Sequence, residues 1–289
     1  MATTSPTVRQ RELGKRLREL RNQHGLTVEE VAEKLLCSAT KISRLETGSR
    51  RPNLRDVRDL CGLYNLDEAT STEFMTLARE ARQQGWWAKY EDLKMDPYLG
   101  LEAAAAAITS YTMYYIPALL QTEEYAKEII KTIAPKMDPQ VLLGRVEARM
   151  RRQERLDEDD PPRYRVLLDE AVLYRAVGGA AVMAAQLDKV LQAERRGKVT
   201  VQVVSFDSGA HAAQDSNFIL FEFENTDQAP VVSVEGLTGM QYLAKSADIT
   251  RYQEAIEYLR DSALSPRDSI ALVAERQRAY AGKITDQSP

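Results

Sequence analysis

Cysteine and histidine are scarce: the 289-residue chain has two of each. Cys37 and Cys61 both fall inside helical patterns in a chain with no export signal, so reduced, buried thiols are expected and not a disulfide. His24 and His211 stand far apart, and neither has a second soft ligand at short spacing, which argues against a zinc-type site. No run of eighteen apolar residues occurs, so no membrane-spanning helix is expected. The opening MATTSPTVRQREL lacks the apolar stretch of a secretory signal. These absences predict a soluble, cytoplasmic protein with no membrane partner, no metal and no cofactor.

What the chain has is length and an uneven distribution of charge. At 289 residues it exceeds the size at which one core usually keeps growing, so two domains are expected. The formal charge of -4 hides an asymmetry. Residues 1–58 carry 13 Lys+Arg against 7 Asp+Glu, which leaves 26 against 36 for the rest: a head of +6 on a body of -10. A local positive field suits a polyanion that a uniformly acidic protein would repel.

The head reads as a string of short capped helices. Leu13, Leu17 and Leu20 mark one helical face, and Gly25 is placed to end that helix. Thr27-Val28-Glu29-Glu30 has the form of a capping box, opening a second helix with Val31, Ala32 and Leu35 inward. Ser38 can cap a third helix over Ala39 to Thr47, with Gly48 just beyond it. Asn53 caps a fourth, carrying Leu54, Val57 and Leu60, and Asp67 to Gln84 gives a fifth.

Projected at 100° per residue, the third helix has two faces. Thr40, Ser43, Arg44 and Thr47 share one side, and Ile42 and Leu45 point to the other. The run from Gly25 to Gly48, with its capped starts, small Ala32 at the helix crossing and closing Leu45-Glu46-Thr47-Gly48, strongly resembles the helix-turn-helix of Cro and phage-repressor type regulators. The resemblance makes 38–47 the recognition helix. It implies double-stranded DNA as partner, with Ala39, Thr40, Ser43 and Arg44 toward base edges and Thr27 as a further DNA-binding residue, while Lys41, on the flank of the helix, is better placed for phosphate. It also places Arg50 and Arg51 on phosphate, and makes Arg21 and Glu46 a structural ion pair. Lys15, Arg16 and Arg18 either contact phosphate or are simply solvated. Leu36 departs from the family's usual Gly in the turn, so either a costly left-handed Leu or a modified turn is expected there.

Past Gly85-Trp86-Trp87 the pattern changes. Residues 164–168, 199–204, 218–223 and 231–234 read as strands, and 122–133, 139–156, 179–195, 246–260 and 266–281 as helices. The expected fold class is therefore multidomain: an all-α, lambda-repressor-like helix-turn-helix domain over 1–85 and a mixed α/β domain over 86–289, serving regulation, partner binding or dimerisation. Gly85-Trp86-Trp87, Pro117 to Ala126, Arg149 to Glu154, Leu168-Asp169-Glu170 and Asp207 to His211 together resemble actinobacterial WhiJ-like regulators, antitoxin-like transcription factors of development or specialised metabolism. That resemblance implies a small partner protein encoded nearby, and Ala118 stands where the family commonly has Gly.

No catalytic constellation emerges, so no enzymatic activity is expected. Asp207, Ser208 and His211 are too close along one loop to form a hydrolase triad unaided. Asp169 and Glu170, adjacent at a strand end, point in different directions and read as helix caps. Arg149, Arg151, Arg152 and Arg155 either hold an anion or pair with Glu147, Glu154 and Asp157. The polar loop Asp207 to Asn217 is the candidate effector or partner contact. The reading is a sequence-specific, homodimeric regulator, since one recognition helix spans only a few base pairs; the alternative is a repressor whose C-terminal domain binds a small molecule.

Overall fold

In the computed structural model, which describes residues 5–90, 96–224 and 229–285, the chain forms two compact units that divide between Ala104 and Ala105. The first contains α1 (Pro6–Gln23), α2 (Val28–Lys34), α3 (Ala39–Glu46), α4 (Leu54–Leu63), α5 (Glu68–Glu80) and α6 (Asp96–Ala104), with a 3-10 turn at Trp86–Lys89. Local chemistry sets its boundaries. Thr27, Ser38, Asn53 and Asp67 each accept a backbone N–H of the helix they precede. At α2 the box is reciprocal, with Glu30 accepting the Thr27 N–H at 2.7 Å. The apolar faces of α1 to α5 close on one core through Leu13, Leu17, Val31, Ile42, Leu45, Val57, Leu60, Phe74 and Leu77. Cys61 lies in that core as a free thiol, and Cys37 is free and half-buried.

Gly14 lets α1 and α3 approach closely, because a Cβ there would lie 2.6 Å from the Leu45 carbonyl oxygen. Leu36 settles the question of the turn. It occupies the left-handed region at φ 49°. The Cys37 and Leu36 N–H groups return to the Ala32 and Glu33 carbonyls, the Schellman closure that glycine usually serves. The turn is thus unmodified, and a 95% exposed leucine adopts the glycine conformation.

The second unit is built on one six-stranded sheet, ordered β3-β2-β1-β4-β5-β6. Its strands are β1 (Ala107–Thr112), β2 (Arg163–Asp169), β3 (Thr200–Val204), β4 (Phe218–Glu222), β5 (Val231–Gly236) and β6 (Gly239–Leu243). β1, β2 and β3 run parallel, and β4, β5 and β6 add as an antiparallel meander. The parallel steps need crossovers, supplied by α7 (Glu123–Ile133) and α8 (Pro139–Gln153) after β1 and by α9 (Ala180–Arg195) after β2. α10 (Ser246–Ser262) covers the sheet face bearing Tyr111, Leu167, Phe218, Leu220 and Val232. The segment entering α11 (Pro266–Thr285) closes the β3 edge: Leu264 N–H donates to the Val203 carbonyl, and Val203 N–H to Ser269 Oγ.

β1 and β6 lie outside the strands expected from sequence. β1 is central yet poor in large apolar residues, with Thr109, Ser110 and Thr112 all buried. β6 is short and follows a two-residue turn. Ala118 adopts no positive φ, so the absent glycine costs nothing there.

Candidate nucleic-acid interface

The exposed side of α3 follows from what its other side buries. Ile42 and Leu45 are 2% and 3% exposed, so residues at the opposite angle must face outward. Thr40, Ser43, Arg44 and Thr47 are exposed, and Ala39 is half-buried. At the start of the helix, Ser38 Oγ accepts the Lys41 N–H at 3.2 Å. At its end, Gly48 N–H and Ser49 N–H return to the Leu45 and Arg44 carbonyls. The loop beyond is held by α1, where Gln10 Nε2 donates to the Gly48 carbonyl at 2.8 Å.

Buried beneath that face, Arg21 grips Glu46 with a two-pronged contact of 2.7 and 3.0 Å and donates to the Leu26 carbonyl at 2.8 Å. The hydrogen-bonded carboxylate holds the guanidinium pKa above its ordinary value, against the opposing effect of burial. Both side chains are about the α1–α3 junction and not available to a ligand, being 11% and 5% exposed. Tyr64 sits in the same place; burial and then the Glu46 charge push its phenol up to about 12.

The cations around α3 divide by partner. Lys41 Nζ pairs with Asp56 Oδ1 at 2.7 Å, tying α3 to α4, so a phosphate would have to compete for it. Lys15 pairs with Glu19 at 3.8 Å, and Arg16 with Glu73 at 3.0 Å while lying over the Phe74 ring. Arg44, Arg50 and Arg51 are exposed and make no ion pair with any described residue. Arg55, which the sequence reading did not single out, is equally exposed, in the first turn of α4 beside the Asn53 cap. Thr27 is exposed at the N-terminus of α2, with its hydroxyl accepting the Glu30 N–H at 3.1 Å. The result is an outward face of hydroxyls and the Arg44 guanidinium, followed along the chain by Arg50, Arg51, Arg55 and Arg58, all exposed and without an ion pair among the described residues.

In the second unit Ser208 and His211, of the Asp207–Asn217 loop, have separate partners. Ser208 Oγ donates to the Ser262 carbonyl at 2.9 Å, and His211 Nε2 lies 3.2 Å from Tyr111 Oη. Asp169 caps the following turn by accepting the Ala171 N–H, and Glu170 accepts the Phe206 N–H, each at 2.8 Å. Arg155 pairs with Glu158 at 3.2 Å, and Arg149 donates to Gln121 Oε1 at 3.0 Å. Among the described residues no group of three His, Cys, Asp or Glu is placed to hold a metal, and no helix is long and apolar enough to cross a membrane.

Comparison with known families agrees with the first unit's geometry. Residues 12–74 match the family described as a helix-turn-helix domain, which spans all the residues of α2 and α3. No curated protein matches the chain significantly. Residues 95–275 match a second family, and because that match takes in well over half of the chain, the protein belongs to the family described as a domain of unknown function, DUF5753.

Proposed function

We propose that the protein is a sequence-specific DNA-binding transcriptional regulator, acting in the cytoplasm as a homodimer and not as an enzyme. The single observation carrying this reading is the outward face of α3: Thr40, Ser43 and an ion-pair-free Arg44 are exposed, while Ile42 and Leu45 are buried. A helix of this form fits a major groove, where Arg44 can make a bidentate contact to guanine O6 and N7 and Ala39 permits close approach. Arg50 and Arg51 supply phosphate contacts that fix register without reading sequence. The resemblance to WhiJ-like, antitoxin-like regulators extends the proposal to a small partner protein acting through the second unit.

Site selection from a random duplex library, followed by titration at several salt concentrations, tests it. Arg44→Ala relaxes preference at one base step of each half-site. Arg51→Ala weakens all duplexes about equally and lowers the salt slope by about 1. Unchanged preference in Arg44→Ala would remove α3 as the reading helix.

A second reading, a small-molecule sensor, is favoured by a hollow of about 380 Å³ where the Asp207–Asn217 loop meets α10. Phe218, Leu243 and Tyr252 provide an apolar floor, and Asp215, Asp248 and Arg251 a polar rim. Thermal-shift screening of the purified protein against a metabolite set, repeated with Tyr252→Ala, separates this reading from control by a partner protein.

A further inference from the structure

A second polar hollow in the second unit shares no lining residue with the Asp207–Asn217 loop. The β1–β2 register places Thr109 beside Arg165 and Ala107 beside Arg163; the β2–β3 register adds Thr200 beside Arg165, and the β1–β4 register Glu222 beside Ala107. Cross-strand neighbours share a sheet face. The pairing therefore fixes a floor in which small Ala107 and Thr109 lie between two arginines on one flank and one carboxylate on the other. This floor opens into a depression of about 580 Å³, with Lys198 and the Pro161–Pro162 turn among its walls.

Neither Arg163 nor Arg165 makes an ion pair or a side-chain hydrogen bond with a described residue, Glu222 acting on Arg165 only through its charge. Lys198 is held at 3.5 Å from Asp157, a residue outside the depression and 72% exposed. Burial, and then the neighbouring Arg260, lower the pKa of the Arg165 guanidinium, with Glu257 and Glu222 opposing and Arg163 adding to the shift. Arg260 is itself committed to Glu257 at 2.8 Å. Three cations against one carboxylate thus line a polar hollow in a part of the chain whose overall balance is acidic.

We propose that this depression binds a phosphorylated small molecule. A phosphate monoester carries about -1.5 to -2 charge at neutral pH, which the Arg163 and Arg165 guanidinia, neither held in an ion pair with a described residue, can offset. Its oxygens suit the fork of an arginine side chain, and the Thr109 and Thr200 hydroxyls offer further donors. Glu222, across the floor from Arg163, accepts from a hydroxyl or amine on the rest of the ligand. The volume leaves room for a sugar-sized body beside the phosphate. The site lies within the second unit and does not depend on the reading of the first.

Calorimetric titration of the full chain with inorganic phosphate, pyrophosphate, ribose 5-phosphate and succinate tests the proposal. Saturable binding of ribose 5-phosphate is expected, at least about tenfold weaker in R163Q/R165Q, where two charge-assisted contacts are lost. Lys198→Glu, a change at the rim with little effect on folding, weakens it in the same direction and provides the test should the double variant lose its circular dichroism signal. No saturable binding of any phosphate probe, or equal affinity in Lys198→Glu, overturns the proposal; succinate binding as tightly as ribose 5-phosphate overturns the choice of phosphate. Duplex binding by the same preparations is measured in parallel, so that loss of the DNA reading and loss of this one are told apart.

Discussion

Replacing Leu36 by glycine should stabilise the first unit, an unusual direction for removing a leucine. The side chain is 95% exposed, so its loss forfeits almost no burial. Its backbone sits at φ 49°, where a side chain crowds the following carbonyl at a cost of about 1–2 kcal/mol. Against this, glycine enlarges the unfolded ensemble by about 0.4–1 kcal/mol. The balance is a gain of about 0.5–1 kcal/mol, from relieved strain alone. Amide hydrogen exchange of the full chain, followed by mass spectrometry, reads the opening of α1 to α5 separately from the rest. For amides that exchange through opening of the whole unit, protection should rise by about two- to fivefold. Leu36→Asn should move the same way, since asparagine tolerates the left-handed region through its short polar side chain. Leu36→Val should lower protection, a β-branched side chain being a genuine outlier there. Faster exchange in both the Gly and Asn variants would refute the reasoning, showing that the leucine side chain is held by a contact and is not merely strained.

Glu46→Gln strands the buried Arg21 guanidinium and should cost about 3 kcal/mol, read as a lower urea midpoint for the first unit; an unchanged midpoint would mean that the pair is solvated. Gly14→Ala drives a methyl to 2.6 Å from the Leu45 carbonyl oxygen and should cost about 1–3 kcal/mol as α1 and α3 are forced apart, again by urea unfolding. Tyr64 and Tyr125 have phenols pushed up to about 12, chiefly by burial. Their folded pKa lies above the ordinary value near 10, so the stability they lend is complete below pH 10 and is lost as pH climbs toward 12. Absorbance at 295 nm should accordingly show a late-ionising tyrosine class that merges with the rest on unfolding, and a single transition near 10 in the folded protein would contradict this.

What could be read along the chain was the chemistry of neighbours. Thr27, Ser38, Asn53 and Asp67 announced four helix starts because a cap acts within three residues. The 3.6-residue period gave the two faces of α3 for the same reason. β1 had no such signal. Ala107-Ile108-Thr109-Ser110-Tyr111-Thr112 has little apolar bulk, and its burial comes from strands at Arg163 and Phe218, more than fifty and one hundred residues away. Propensity cannot register a position in the middle of a sheet that the rest of the chain supplies.

The first unit shows the same division at the scale of single charges. A net charge of +6 over residues 1–58 predicts a polyanion partner but not which residues meet it, because ion pairs form between elements that the sequence does not place side by side. Arg9, Lys15, Arg16, Arg21 and Lys41 all have acidic partners in the fold. Lys41, a phosphate candidate by its place on the flank of the helix, pairs with Asp56, fifteen residues on. Arg18, Lys34, Arg44, Arg50, Arg51, Arg55 and Arg58 remain exposed without an ion pair among the described residues, and the last five of these lie in α3, the loop after it and α4. A guanidinium already in an ion pair must give up that partner before it can neutralise a phosphate, so its net gain on binding is smaller. The free set should therefore dominate the salt dependence of binding, and Arg55, absent from the sequence reading, should contribute to that slope as much as Arg51, whereas Lys41 should contribute little.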